Sequence, residues 1–282
     1  MKIVIYLCLG LLLSVICFIG CIDSIARKIV FHPRRYTKNL STDTYREVSF
    51  QNRRNETLFG CYFPYNTVAP DKMAAGTILY CHGNGENCSA LLNFGNELRS
   101  EFRCNVLIFD YAGYGKSEGK PTARGILDDG RAARDWLVKE EKITNEQIIV
   151  YGFSLGGSVA VDIAAKDGAR ALIVESSFTS LGDMGQHLLP FLPANYLLRE
   201  RLASVEKIGK YHGYVFISHG QSDKTIPFQQ GKQLFDAANE PKTFYIPPQD
   251  YDHHSAPHCS EHQEKLRQFI DSLPLVSGIP IR

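Results

Sequence analysis

A chain of 282 residues with 44% hydrophobic and 22% charged side chains has the composition of one compact domain, which excludes a disordered or fibrous protein. Thirty-one basic residues against 30 acidic ones give a formal net charge of +1, and no long basic run stands out. Without a global field to attract polyanions, nucleic acid is not an expected partner.

The first element in chain order is apolar. Ile3 to Ile22 follow Met1-Lys2 without a charged residue, a length that lets a helix cross a hydrocarbon core. The run is too uniformly apolar for an amphipathic helix and reads as lying outside the globular fold. Three readings of residues 1–24 stay open: a retained signal anchor, a cleaved signal peptide, and a bacterial lipoprotein signal ending at Phe18-Ile19-Gly20-Cys21, with Cys21 lipidated. Arg27, Lys28, Arg34 and Arg35 after the run favour a cytoplasmic side there, whereas Lys2 before it favours export. The side of the membrane therefore stays open as well. Residues 25–44 read as a linker.

Two candidate strands follow, Tyr45 to Phe50 and Leu58 to Pro64, and the polar stretch between them suggests a hairpin. Short apolar runs then alternate with helical segments: Thr77 to Tyr80, Val106 to Phe109, Ile148 to Tyr151, Ala171 to Val174, Tyr214 to Ser218 and Thr243 to Ile246. Continuous runs rich in β-branched residues are expected of strands covered on both faces. Between them Thr122 to Glu140 has clear helical spacing, with Ile126, Ala133, Trp136 and Leu137 toward one face. The predicted class is α/β: a mostly parallel sheet of about eight strands with helices on both faces. Phe178 to Gly213 breaks the alternation, and Pro190 and Pro193 interrupt it, which suggests a small cap-like excursion over 178–213. Its apolar residues, Leu181, Met184, Leu188, Leu189, Phe191, Leu192 and Leu197, read as ordinary core, with an acyl-binding surface as the alternative. The expected domain spans 45–282.

Three of the eight cysteines fall in the apolar run. Cys61, Cys81, Cys88, Cys104 and Cys259 remain, an odd number that argues against obligatory disulfide stapling. No pair has zinc-finger spacing.

Gly152-Phe153-Ser154-Leu155-Gly156 lies between the apolar run Ile148 to Tyr151 and the helix-compatible Leu155 to Ala165. A G-x-S-x-G turn between strand and helix is a nucleophile elbow, and it lifts the serine hydroxyl to a helix N-terminus. A serine hydroxyl needs a general base, normally a histidine oriented by a carboxylate. Chain order in such a sheet is serine, acid, histidine. Asp223 fits the acid, just beyond the run Tyr214 to Ser218. For the base, His253 is favoured, with its neighbour His254 as the alternative, because adjacent loop side chains point apart. His258 and His262 are spaced i, i+4 and read as a solvated helix face, not a metal pair. The backbone N–H groups of Asn84, in His82-Gly83-Asn84-Gly85, and of Leu155 are the expected oxyanion donors. His82 reads as a structural or loop-positioning residue.

These residues resemble the α/β-hydrolase superfamily, and within it the single-pass or lipid-tethered serine hydrolases that include the membrane-associated depalmitoylases. The resemblance rests on His82-Gly83-Asn84-Gly85-Glu86-Asn87, on Phe109-Asp110-Tyr111-Ala112-Gly113-Tyr114-Gly115-Lys116-Ser117, on Gly152 to Gly157, and on Ser218-His219-Gly220-Gln221-Ser222-Asp223-Lys224-Thr225-Ile226-Pro227. It implies Ser154 as nucleophile, Asp223 as acid, and Asn84 and Leu155 at the oxyanion hole. The chain departs from the family at Ala112, where Arg is common, and at Asp252, where Gly commonly precedes the catalytic histidine. Aligning the terminal helix through Leu266 and Phe269 supports His253. The expected activity is hydrolysis of an acyl ester or thioester, with a small-molecule or acylated substrate, membrane contact through residues 3–22, and no metal or organic cofactor. A peptidase or amidase using the same residues, and a non-catalytic membrane-tethered binding protein, are the alternatives.

Overall fold

Each of the eight apolar runs forms a strand. The computed structural model describes residues 30–35, 44–65, 74–191, 201–248, 251–253 and 259–274. The expected anchor, Leu192, Leu197, His254 and His258 lie outside them. The strands are β1 (Arg46–Gln51), β2 (Thr57–Phe63), β3 (Thr77–Cys81), β4 (Asn105–Phe109), β5 (Ile148–Phe153), β6 (Ala171–Glu175), β7 (Tyr214–Ser218) and β8 (Lys242–Tyr245). They make one sheet in the order β1-β2-β4-β3-β5-β6-β7-β8. The β1–β2 and β2–β4 pairs are antiparallel and the others parallel.

The described helices are α1 (Leu92–Phe102), α2 (Ala123–Lys139), α3 (Leu155–Asp167), α4 (Leu181–Leu188), α5 (Val205–Ile208), α6 (Phe228–Ala237) and α7 (Ser260–Ser272). Alternation along the strands divides the core in two. On one side Leu79, Leu107, Val150, Leu172 and Val215 pack against Ile126, Leu137, Val159, Ile163 and Leu234 of α2, α3 and α6. On the other, Ile78, Ile108, Ile149, Ile173 and Phe216 meet Leu98 and Phe102 of α1 and Leu266, Phe269 and Ile270 of α7. Both faces being covered is why the strands lack the polar alternation of a half-exposed sheet.

Helix α2 starts where Thr122 accepts the Gly125 N–H on its side-chain oxygen. It buries Ile126, Ala133 and Leu137, while Trp136 is half-buried against Tyr62. The excursion after β6 differs from a core segment. Leu181 is buried and Met184 half-buried, but Leu188, Leu189 and Phe191 are exposed. Only the first turn of this two-turn helix meets the body of the domain. Cys61, Cys81, Cys88, Cys104 and Cys259 are all free thiols. Among the described residues no helix is long and apolar enough to cross a membrane.

Candidate active site

The C-terminal end of β5 turns directly into α3 at Ser154. Its backbone holds φ 52° and ψ −116°, a positive-φ conformation that costs a non-glycine residue of order 1–3 kcal/mol. The surroundings impose it. The Ser154 N–H donates to the Glu175 carbonyl at 2.9 Å, and the Ser154 carbonyl accepts from the Gly157 N–H at 3.0 Å and the Ser177 hydroxyl at 2.8 Å. Two glycines make room for the turn: a Cβ on Gly156 would stand 1.9 Å from the Cys81 carbonyl oxygen, and one on Gly152 would stand 2.3 Å from that of Gly156.

Loops leaving β7 and β8 bring two more groups to this serine. His253 Nε2 lies 3.0 Å from Ser154 Oγ, and His253 Nδ1 lies 2.7 Å from Asp223 Oδ2. A carboxylate only accepts, so Nδ1 carries the proton and Nε2 accepts from the hydroxyl. Asp223 Oδ1 accepts the N–H groups of Thr225 and Ile226, each at 2.8 Å. His219 Nε2 donates to the Ile226 carbonyl at 2.9 Å and stands 3.3 Å from Asp223 Oδ2. Burial raises the Asp223 pKa, but the hydrogen bonds from His219 and His253, the positive charge that His253 carries when protonated and the Ile226 N–H outweigh it. The carboxyl is held well below the usual range, ionised throughout the neutral region.

The loop after β3 lies against the elbow, since a Cβ on Gly83 would stand 2.7 Å from the Phe153 ring. Tyr111 donates to the His82 carbonyl at 3.0 Å and Tyr114 to Asn84 Oδ1 at 2.7 Å. The Phe109 to Ser117 motif thus positions this loop. His82 is fully buried, and its Nδ1–H donates to the Gly83 carbonyl at 2.8 Å. Burial lowers its pKa to about 4, against the effect of that bond. The Asn84 side chain is engaged by Val30 and His32. As the first helical residue, Leu155 has an N–H that the α3 ladder leaves without an acceptor. Glu86 Oε2 accepts the Gly83 N–H at 2.7 Å. Burial raises the Glu86 pKa, partly countered by that N–H and by the His253 charge. Ala112 is buried, and its N–H donates to Asp129 Oδ2 at 2.9 Å.

Beneath the site lies a polar layer that sequence patterning does not announce. Glu175, Ser218 and Tyr245 are register partners across β6, β7 and β8. Tyr151 donates to Glu175 Oε2, and His262 of α7 meets Ser218 Oγ at 3.0 Å. The expectation of a solvated face at His262 is therefore corrected: the apolar stripe of Leu266, Phe269 and Ile270 turns it fully inward. Burial lowers its pKa to about 4. Burial pushes the Glu175 carboxyl up to about 7; the Tyr151 hydrogen bond opposes the rise, and the Glu86 charge adds to it.

Glu175 thus binds its proton more tightly in the native state than in the unfolded chain, where its value is 4.5. The corresponding stability is fully present below pH 4.5 and lost as pH rises through about 7. Glu175→Gln is expected to flatten this part of the pH profile, by up to about 3 kcal/mol. Calorimetric melting of both proteins from about pH 5 to 8 checks it. Parallel profiles would refute the assignment.

The family model described as the alpha/beta hydrolase fold matches residues 76–210. The chain is 34% identical over 203 residues to the uncharacterized protein Rv2307c of Mycobacterium tuberculosis, covering 72% of this chain and 70% of that one. The chain belongs to the α/β-hydrolase family. It is also 32% identical over 198 residues to human alpha/beta hydrolase domain-containing protein 17B, covering 69% of this chain and 66% of that one. Among solved structures, the Pyrococcus furiosus esterase Pf2001 superposes with a TM-score of 0.68 at 20% identity, over 86% of this chain and 99% of that one. That likeness supports the fold alone.

The structure of this α/β hydrolase brings Ser154, His253 and Asp223 into one hydrogen-bonded row. Glu86, Ser177 and His219 were not singled out by the sequence. Glu86 lies within the run His82 to Asn87 and His219 within Ser218 to Pro227, whereas no local pattern marks Ser177. A surface cavity of about 1020 Å³ lies at the other edge of the sheet, between β1 and α2, and none of the three hydrogen-bonded residues lines it. Hydrogen-bond geometry, not cavity size, therefore locates the site. Among the described residues no cluster of three or more His, Cys, Asp or Glu side chains could hold a metal ion.

Proposed function

We propose that this α/β hydrolase is a serine hydrolase that cleaves an acyl ester or thioester through an acyl-enzyme on Ser154. The observation that carries the reading is the row from Asp223 through His253 to Ser154, at 2.7 and 3.0 Å. As Oγ attacks the carbonyl carbon, His253 Nε2 takes its proton, and Asp223 stabilises the imidazolium without accepting a proton itself. The carbonyl oxygen, now negative, meets the N–H groups of Leu155 and Asn84. Collapse expels the alcohol or thiol, protonated by His253. Water, deprotonated by the same nitrogen, then attacks the acyl-enzyme, and the departing serine recovers its proton.

The reading includes a membrane tether formed by residues 3–22, supported by the length and apolar character of that run. A panel of short-chain esters, acyl thioesters and aminoacyl amides tests the substrate class. Turnover of amides at rates matching the esters would move the assignment to a peptidase or amidase.

Glu86 acts in this scheme as a positioning residue, holding the oxyanion loop by its bond to Gly83. Glu86→Ala is expected to lower kcat by about tenfold to a hundredfold with little change in KM. Glu86→Gln keeps an acceptor oxygen and should recover most of kcat. Steady-state kinetics on a chromogenic ester reads both variants, and equal losses would show that the acceptor is not what matters.

A further inference from the structure

The end of the sheet that carries the site also carries apolar surface that the proposed chemistry leaves unused. Among the described residues the exposed large apolar side chains are Leu188, Leu189, Phe191 and Ile246, and Phe191 is completely exposed. All four lie on segments that leave the C-terminal ends of parallel strands, 188–191 in the excursion after β6 and Ile246 directly after β8. Asn84, Ser154, Asp223 and His253 follow the C-terminal ends of β3, β5, β7 and β8. Contiguous apolar exposure marks an interaction surface, and Leu188, Leu189 and Phe191 are neighbours in one segment.

The segment of residues 30–35 indicates what covers it. Asn84 Nδ2 donates to the Val30 carbonyl at 2.6 Å, and Asn84 Oδ1 accepts the His32 N–H at 2.9 Å. The Arg34 carbonyl accepts from Gly115 N–H at 2.8 Å and from Asn87 Nδ2 at 3.1 Å. Phe31 is buried between these ties. The segment is therefore fixed to the loops leaving β3 and β4, on the same end as the site.

In the sequence, only residues 23–29 separate Ile22, the end of the apolar run, from Val30. Eight Cα steps span at most about 29 Å, whereas a domain of about 240 residues is of order 45 Å across. A bilayer holding residues 3–22 can thus lie against this end of the sheet but not against the opposite pole. Arg27, Lys28, Arg34 and Arg35 flank the junction and complement anionic headgroups.

We propose that the C-terminal end of the sheet is a membrane-docking face, with Leu188, Leu189, Phe191 and Ile246 entering the interfacial layer of the bilayer that residues 3–22 occupy. The catalytic groups then face lipid-borne acyl chains. The proposal rests on the membrane-tether reading above, and the experiment separates the two.

The full-length protein is reconstituted into phosphatidylcholine and phosphatidylglycerol vesicles containing brominated phosphatidylcholine, which quenches tryptophan inside the bilayer. The chain's one tryptophan, Trp136 on α2, stands at the far edge of the sheet and serves as the internal control. Phe191→Trp and Ile246→Trp are each expected to add emission quenched at least about twofold more strongly than that of Trp136. Flotation with the vesicles reports the tether independently. Protein that floats with unquenched added tryptophans overturns the docking face and leaves the tether standing. Protein that does not float overturns both. A dimer in detergent that Phe191→Asp abolishes would assign the surface to a second copy and overturn the proposal as well.

Discussion

Ser154→Ala is expected to abolish covalent labelling by a fluorophosphonate and to lower kcat for an ester by about 10⁶-fold, the scale of loss when a triad serine is removed. The hydroxyl is the atom His253 Nε2 meets at 3.0 Å, and no other hydroxyl occupies that position: the nearby Ser177 hydroxyl is committed to the Ser154 carbonyl at 2.8 Å. The fold should survive the change. Alanine at φ 52° bears the same backbone strain as serine, so the melting temperature should stay close to that of the wild type. Ser154→Gly provides the complementary measurement, because glycine relieves the strain and should stabilise the protein by of order 1 kcal/mol while remaining inactive. Full labelling of Ser154→Ala would show that the reactive group lies elsewhere.

Asp223→Asn is the second large effect, with an expected loss in kcat of about 10⁴-fold. The asparagine carbonyl can still accept the Thr225 and Ile226 N–H groups that Asp223 Oδ1 holds at 2.8 Å, so the loop should keep its course. What changes is the group facing His253 Nδ1. An amide nitrogen there donates where the carboxylate accepted, which favours the imidazole tautomer with its proton on Nε2, and that nitrogen can no longer receive the Ser154 proton. The direction of the Asp223 pKa adds a pH expectation. Its folded-state value is depressed, so the stability it contributes is present above its unfolded value of 3.8 and is lost only as pH falls through the lower folded one. The acid limb of the wild-type activity profile therefore does not arise from Asp223. Retention of wild-type kcat in Asp223→Asn, measured between about pH 6 and 9, would remove the carboxylate from the mechanism.

Local features of the chain determined much of this protein. Apolar runs such as Ile148 to Tyr151 and Ala171 to Val174 are short, β-branched and bounded by polar segments, so their strand character needs no knowledge of their neighbours. The same holds for the turn at Ser154, where two glycines and a strand-helix junction within a few residues define the conformation on which the proposed chemistry rests. Tertiary structure alone decided the sheet order, which sets β4 between β2 and β3, because pairing depends on contacts between distant residues. It also decided that His253 turns toward both Ser154 and Asp223, since neighbouring loop side chains carry no local signal of direction. Glu175 and His262 show the limit most clearly. Their spacing in sequence is ordinary, and their burial beneath the site follows from which strands and which helix stripe close over them. The exposure of Leu188, Leu189 and Phe191 has the converse cause: hydrophobicity is a property of the residue, but burial requires a partner surface, and only the assembled fold says where one is missing.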